Sequence, residues 1–338
     1  MNLFEEIAQH MLEPADSLVK TVRELDGDLM ILGVGGKMGP SMAKLAKNAI
    51  SKAGVAKKVI GVSRFSAGTL KSELSEFGIE TISADLLDDE QLQALPKVKN
   101  IIFMAGQKFG TTGNEALTWA MNTYLPGRVA EAFPDSRIVS FSTGNIYPLS
   151  SVLKGAPSED CPVGPVGEYA QSCLGRERIF TYFSQKKHIP MLHFRLNYAI
   201  DMKYGVLLEI AKAVYERRPI DLAMGHVNVI WQGDANEMAI RSLELCSTPP
   251  RILNVTGPET ASVRWLAEQF AERFGVKPIF ENHEQETALL SNAAKAHQLL
   301  GYPRVSLGQM IDWTAEWVMA GGETINKPTH FQERKGEF

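Results

Sequence analysis

The run Leu29-Met30-Ile31-Leu32 opens directly into Gly33-Val34-Gly35-Gly36-Lys37-Met38-Gly39, and a helical pattern follows from Ser41 to Ala53. Strand, glycine turn and helix in that order point to an α/β chain with a parallel sheet. The glycines permit a tight turn and let backbone N–H groups approach a pyrophosphate. The helix N-terminus adds partial positive charge. A nucleoside-triphosphate loop is excluded, because the spacing that ends at Gly36-Lys37 needs a glycine where Ile31 stands, and Met38 replaces the Ser or Thr after the lysine. A dinucleotide is the ligand this turn predicts.

The same alternation continues along the chain. Short apolar runs at Asp28–Leu32, Lys58–Val62, Glu80–Ser83, Asn100–Met104, Arg137–Phe141, Pro190–Phe194 and Arg251–Val255 are separated mostly by longer helical patterns. This predicts a doubly wound parallel sheet covered on both faces. Leu3, Ile7, Met11, Leu18, Val19, Val22 and Leu25, interrupted by Pro14, predict two short helices outside that sheet. The last strand arrives only after a long excursion from Leu196 to Pro250, and the chain beyond Gly257 is helix-rich. The expected organisation is an N-terminal extension over residues 1–27 and a dinucleotide-binding unit over 28–197. A smaller, helix-rich substrate lobe covers 198–338, with 251–255 returning to the sheet.

Composition narrows the function. The chain has 338 residues, room for such a two-part unit, and a net charge of −4 without a Lys/Arg stripe. Nucleic-acid binding, which depends on clustered cations, is therefore not expected. No apolar run reaches the ~18 residues that cross a bilayer, and Met-Asn-Leu-Phe-Glu-Glu does not read as a signal peptide, so a cytosolic protein is expected. Cys161, Cys173 and Cys246 include no C-x-x-C spacing and the seven histidines no H-x-x-x-H pair, which leaves no metal site to predict. A small-molecule function is favoured.

After the second strand, Val59-Ile60-Gly61-Val62, comes Ser63-Arg64-Phe65-Ser66, with no acidic residue for the ribose hydroxyls of NAD. Arg64, with Ser63 and Ser66, suits a 2′-phosphate through charge-assisted hydrogen bonds. NADP is therefore the preferred cofactor, with NAD the alternative.

Several motifs together resemble the extended short-chain dehydrogenase/reductase superfamily, the NAD(P)-dependent sugar epimerases and dehydratases. The resemblance covers most of the chain. Leu32-Gly33-Val34-Gly35-Gly36-Lys37-Met38-Gly39 matches the T-G-x-x-G-x-x-G fingerprint with only the Thr replaced. Asp85-Leu86 is similar to the adenine-contacting pair, and Ala105-Gly106 to the small-residue segment beside the cofactor. Asn122 matches the helix Asn that props the active site, and Thr143, in Ser142-Thr143-Gly144-Asn145-Ile146-Tyr147, falls at the catalytic hydroxyl position. Phe194-Arg195-Leu196-Asn197-Tyr198 resembles the L-R-x-x-N segment, and Trp231-Gln232-Gly233-Asp234 a later turn. The resemblance implies a Rossmann-type fold.

The family's Y-x-x-x-K motif falls on Tyr169-Ala170-Gln171-Ser172-Cys173. In the family's chemistry the Tyr exchanges a proton with a substrate oxygen, the Ser/Thr orients that oxygen, and the Lys binds the nicotinamide ribose while lowering the tyrosine pKa. Here Cys173 stands at the Lys position, and an unperturbed tyrosine is only about one part in a thousand ionised at pH 7. Three explanations stay open. Arg176 shares the helix face as a substitute cation, though too far along to touch the ribose; the nicotinamide's own charge activates the tyrosine; or hydride chemistry is lost and cofactor binding retained. Cys173 itself reads as a small packing residue, with no base nearby to make it a nucleophile.

Two functions follow from the resemblance. One is an oxidoreductase or epimerase acting on a hydroxyl or keto group of a sugar, sugar acid or nucleotide sugar, with Tyr169 as acid/base, Thr143 orienting the substrate and Asn122 in support. The other is a non-catalytic NAD(P)-binding sensor. Candidate substrate-lining residues are Phe109, Asn145, Asn197, Tyr198, Met224, His226, Asn228 and Trp231. The resemblance also implies a homodimer built on helices spanning 116–133 and 169–184.

Overall fold

The structure is a computed structural model that describes residues 3–66, 68–108, 110 and 113–337. Seven strands form one sheet: β1 (Leu29–Leu32), β2 (Val59–Ser63), β3 (Glu80–Ser83), β4 (Asn100–Phe103), β5 (Arg137–Thr143), β6 (Met191–Leu196) and β7 (Arg251–Val255). Their order across the sheet is β3-β2-β1-β4-β5-β6-β7, and every pairing is parallel. The chain reverses direction of travel between β1 and β4, the crevice where an open α/β sheet binds ligands.

Every residue of β1 is buried, as a strand covered on both faces requires. Leu29 and Ile31 enter one apolar cluster, with the helices Gly39–Ala53 and Gln232–Arg241; Met30 and Leu32 enter the other, with Leu125–Ala132 and Phe180 of the helix Gly167–Lys187. The N-terminal helices Leu3–Leu12 and Asp16–Glu24 pack outside the sheet, where Glu237 accepts from Ala15 N and Ser17 Oγ. The C-terminal lobe has its own core, in which Val206–Tyr215, Val263–Phe274 and Leu307–Met319 bury Phe270 and Trp313 around Trp231.

One predicted helix is interrupted. The expected run over 116–133 is two helical pieces, Glu115–Trp119 and Leu125–Ala132, joined by a π-turn at Ala120–Tyr124. Pro126 accounts for it, since a proline has no N–H to give to the carbonyl four residues earlier. That carbonyl belongs to Asn122, and it accepts from Arg176 Nε at 3.3 Å instead. The break turns the Asn122 amide towards the sheet.

Under the carboxyl ends of β5 and β6 lies a buried polar network. Arg195 donates to Glu177 through Nε (3.0 Å) and Nη2 (2.7 Å), and to Tyr147 Oη through Nη1 (2.6 Å). Glu177 also accepts from Ser142 Oγ at 2.5 Å, and Tyr147 Oη donates to Asn254 Oδ1 at 2.9 Å. These contacts hold the helix Gly167–Lys187 in register with β5, β6 and β7. Both partners are buried, so removing one would strand the other's charge.

Candidate active site

A trough runs across the carboxyl ends of the strands in two halves that share Gly36, Met104 and Gly106. The outer half, about 340 Å³, is lined by Gly33, Gly35, Ser63, Arg64, Ser66, Asp85, Leu86 and Ala105. The inner half, about 260 Å³, is lined by Lys37, Met38, Asn122, Thr143, Asn145, Tyr169, Asn197 and Tyr198, and also by Lys108, Arg176, Tyr204 and Thr329. Residues dispersed over 28–198 thus meet on one continuous surface.

At the turn, the N–H groups of Lys37 and Met38 have no hydrogen-bond partner among the described residues, and they stand at the start of a 15-residue helix. Unpartnered N–H groups at a helix N-terminus suit an anion. Gly39 lies off the trough: a Cβ there would overlap the Val34 carbonyl, so its place is to let the helix close onto β1. The two ends of the trough are chemically unlike. The outer end has the exposed Arg64 beside two serines, whereas the inner end gathers hydroxyl, amide and ammonium groups.

Asn122 organises the inner half. Its Nδ2 donates to Gln107 O at 2.9 Å and Ser172 Oγ at 3.0 Å, while its Oδ1 accepts from Gln107 N at 2.9 Å and Arg176 Nη2 at 2.8 Å. All four amide sites are used, fixing the loop after β4 against the helix Gly167–Lys187. Arg176 also donates to Phe141 O at 2.6 Å. Two turns beyond Tyr169, this arginine is part of the trough lining.

Thr143 and Cys173 stand close enough to the Tyr169 hydroxyl to influence its ionisation. Burial pushes its pKa well above the usual tyrosine value, and Arg176 with Thr143 only partly opposes this. Burial likewise raises the Cys173 thiol, against the pull of Arg176. Cys173 is off the described trough lining, packed with Ile146 and Tyr147 beneath the tyrosine. Lys108 stands close enough for the two to interact electrostatically, and burial lowers that lysine's pKa. Lys108 had a legible signal, since it follows Ala105-Gly106 by two residues at a strand's carboxyl end.

Four expected substrate residues lie elsewhere. Trp231 is buried in the second core, its Nε1 donating to His10 O at 3.4 Å. Asn228 Nδ2 donates to Glu259 O and Thr260 Oγ1, and its Oδ1 accepts from Ser291 N, so it is a loop tie. Met224 packs with Ala288, Leu289 and Leu290, and His226 sits in a two-residue antiparallel strand against Ala261–Ser262. These positions follow strand ends or fall where the resembled family builds its substrate pocket, but here they pack within the lobe or tie its loops. Phe109 lies outside the described residues. Thr329, which sequence reasoning missed, reaches the lining from a C-terminal segment without periodicity, held by Glu209.

No protein-family model matches the chain, and no curated protein does. Solved structures do. UDP-glucose 4-epimerase of Thermotoga maritima, determined with UDP-glucose, superposes with a TM-score of 0.71 over 87% of this chain and 99% of its own, at 15% identity. The fold is that of the sugar-nucleotide 4-epimerases. The Bacillus cereus UDP-glucuronic acid 4-epimerase, determined with UDP-glucuronic acid and NAD, gives 0.69 at 18% identity over 87% of this chain and 99% of its own. The Thermus thermophilus UDP-glucose 4-epimerase complex with NAD gives 0.68 at 19%, over 86% and 98%. The superpositions match the seven-stranded parallel sheet and its flanking helices. Among the described residues, no helix is long and apolar enough to cross a membrane, and no group of three or more His, Cys, Asp or Glu side chains is arranged to hold a metal.

Proposed function

We propose that this chain binds a nicotinamide dinucleotide along the trough and moves a hydride between C4 of the nicotinamide and a hydroxyl- or keto-bearing carbon of a sugar derivative. The observation that carries this reading is the meeting of Tyr169, Thr143 and Asn122 at the inner end of a trough that runs past the glycine turn to Arg64. Pyrophosphate would lie on the N–H groups of Lys37 and Met38, adenosine between Arg64 and Asp85-Leu86, and nicotinamide beside Tyr169. When bound, the cofactor supplies or accepts the hydride. The protein's part is the proton: Tyr169 Oη gives it to the substrate oxygen, while Thr143 holds that oxygen in place. NAD in the similar epimerases supports a nicotinamide cofactor. Arg64 with Ser63 and Ser66, and the lack of an acid at the end of β2, favour the 2′-phosphate of NADP. Calorimetry with NADPH and NADH tests this: NADPH is expected to bind roughly tenfold or more tightly, the worth of one charge-assisted hydrogen bond, and tighter NADH binding reverses the cofactor choice.

The proposal includes a homodimer. An apolar groove between Ala120–Tyr124 and the helix Gly167–Lys187 is lined by Trp119, Tyr124, Gly127, Ile179 and Phe183. Leu117, Trp119, Tyr124 and Tyr182 are exposed beside it. Val129, Phe133 and Phe180, from the same two stretches, turn to the sheet instead. Light scattering at micromolar concentration is expected to give a mass of two chains, and Tyr124→Asp to halve it; a monomeric wild type removes the claim.

A further inference from the structure

The described lining of the inner half carries three cationic side chains, Lys37, Lys108 and Arg176, and no carboxylate, in a protein whose net charge is −4. Their situations differ. Arg176 is committed to the carbonyls of Asn122 and Phe141 and to the Asn122 amide, so it builds the wall. Lys108 stands by Cys173, the position from which the family's lysine reaches the ribose. Lys37 leaves the glycine turn and crosses the trough to the wall that follows β6.

There its Nζ donates to Ala199 O at 3.1 Å and lies 4.2 Å from the centroid of the Tyr204 ring. An ammonium has three N–H donors. The carbonyl takes one and the ring face accommodates a second, leaving one for the cleft. Lys37 forms no ion pair among the described residues. Lys37 is half-buried, and partial removal from water pulls its pKa down to about 7, with Asp201 opposing the fall and Lys108 adding to it. On the same lining, Asn197 Nδ2 is buried and has no hydrogen-bond partner among the described residues.

An ammonium and an unpartnered amide donor on one small cavity suit a carboxylate. An adjoining pocket, which shares Tyr204, Gly205 and Thr329 with the inner half, carries Lys203, Lys212, Arg218 and Lys327, of which Lys203 is paired with Glu323. Arg218 is paired with Glu216 at 2.6 Å, and Arg251 begins β7, at the end of the sheet away from the trough. We infer that Lys37 and Asn197 hold the carboxylate of the substrate, and that the preferred substrate is a sugar acid rather than a neutral sugar. The inference rests on the proposed cofactor trough and deepens it.

The test uses the full chain saturated with NADP⁺. Aldonates and uronates of three to six carbons and the matching alditols and neutral sugars are compared by calorimetry and by NADPH formation. At least one acid is expected to outdo its neutral counterpart by roughly tenfold to a hundredfold, the range of one hydrogen bond to a charged group. Lys37→Met and Asn197→Asp should each remove that preference, and Lys37→Arg should keep part of it. Melting temperature should hold in each variant, and cofactor affinity is measured alongside. Equal handling of acid and neutral partner, no binding of any acid, or a preference that survives in a folded Lys37→Met overturns the inference. So does a Lys37→Met loss confined to cofactor affinity, which would assign the ammonium to the pyrophosphate. Failure of the wild type to bind either NADP⁺ or NAD⁺ is separate: it removes the trough reading itself and the inference with it.

Discussion

Gly36→Val is expected to weaken dinucleotide binding by at least about a hundredfold while leaving the melting temperature unchanged. A Cβ at Gly36 meets only the Gly33 carbonyl oxygen, at 3.4 Å, and the residue is exposed, so the protein itself has room for a side chain. The ligand does not. Branched carbons at this point would cover the N–H groups of Lys37 and Met38, which have no partner within the described protein. Hydrogen bonds to a charged group are worth about 1.5–3 kcal/mol each, so losing two costs roughly a hundredfold or more in affinity. Gly39→Val is the contrasting variant, because its Cβ would overlap the Val34 carbonyl and should lower stability before binding is even measured. Calorimetry and thermal melting on the two variants separate ligand sterics from chain packing. A folded Gly36→Val protein with wild-type NADPH affinity would falsify the placement of the pyrophosphate.

How much of this was legible in the sequence follows from range. Strand and turn positions are local, and all seven apolar runs read from the sequence appear as the seven strands of the sheet. Turn residues could be placed on the trough for the same reason, since a strand end followed by glycine has few ways to continue. The π-turn at Asn122 was legible only in part. Pro126 marked the spot, but the compensating donor, Arg176, lies 54 residues beyond the Asn122 carbonyl it bonds. Substrate-side residues fared worst, because the lobe over 198–250 folds its aromatic and amide side chains inward, where Trp231 and Asn228 serve packing and loop ties. Nothing in a local pattern separates a buried Asn tying two loops from one facing a ligand. Lys37 was named for its place in the turn, while its crossing to Ala199 and Tyr204 depends on a tertiary contact 162 residues distant in sequence.

Tyr169→Phe is expected to lower turnover by about 10²–10⁴-fold, the usual contribution of a positioned proton donor, with cofactor affinity held within about twofold. The phenol lines the inner half together with Thr143, whose hydroxyl influences its ionisation. Its burial raises the pKa, and with Cys173 at the following turn in place of a lysine, Arg176 alone does not bring it back. The sign of the consequence is definite. A pKa raised above 10 keeps the phenol protonated through neutral and mildly alkaline pH, so Tyr169 is ready as an acid and is a poor base. Reduction of a carbonyl, which needs the proton donated, should therefore show no alkaline loss from this group up to pH 9. Oxidation of the hydroxyl should rise with pH, as tyrosinate becomes accessible. Cys173→Lys bears on the same point from the other side. If the new ammonium reaches the trough, the oxidative direction should gain at neutral pH; if it stays at the buried Cys173 position beside Arg176 and Lys108, the melting temperature should fall, since like charges and burial both oppose it. Undiminished turnover in Tyr169→Phe would remove the tyrosine from the reaction and leave Lys37, the lysine that partial burial brings down to about 7, as the acid to examine next.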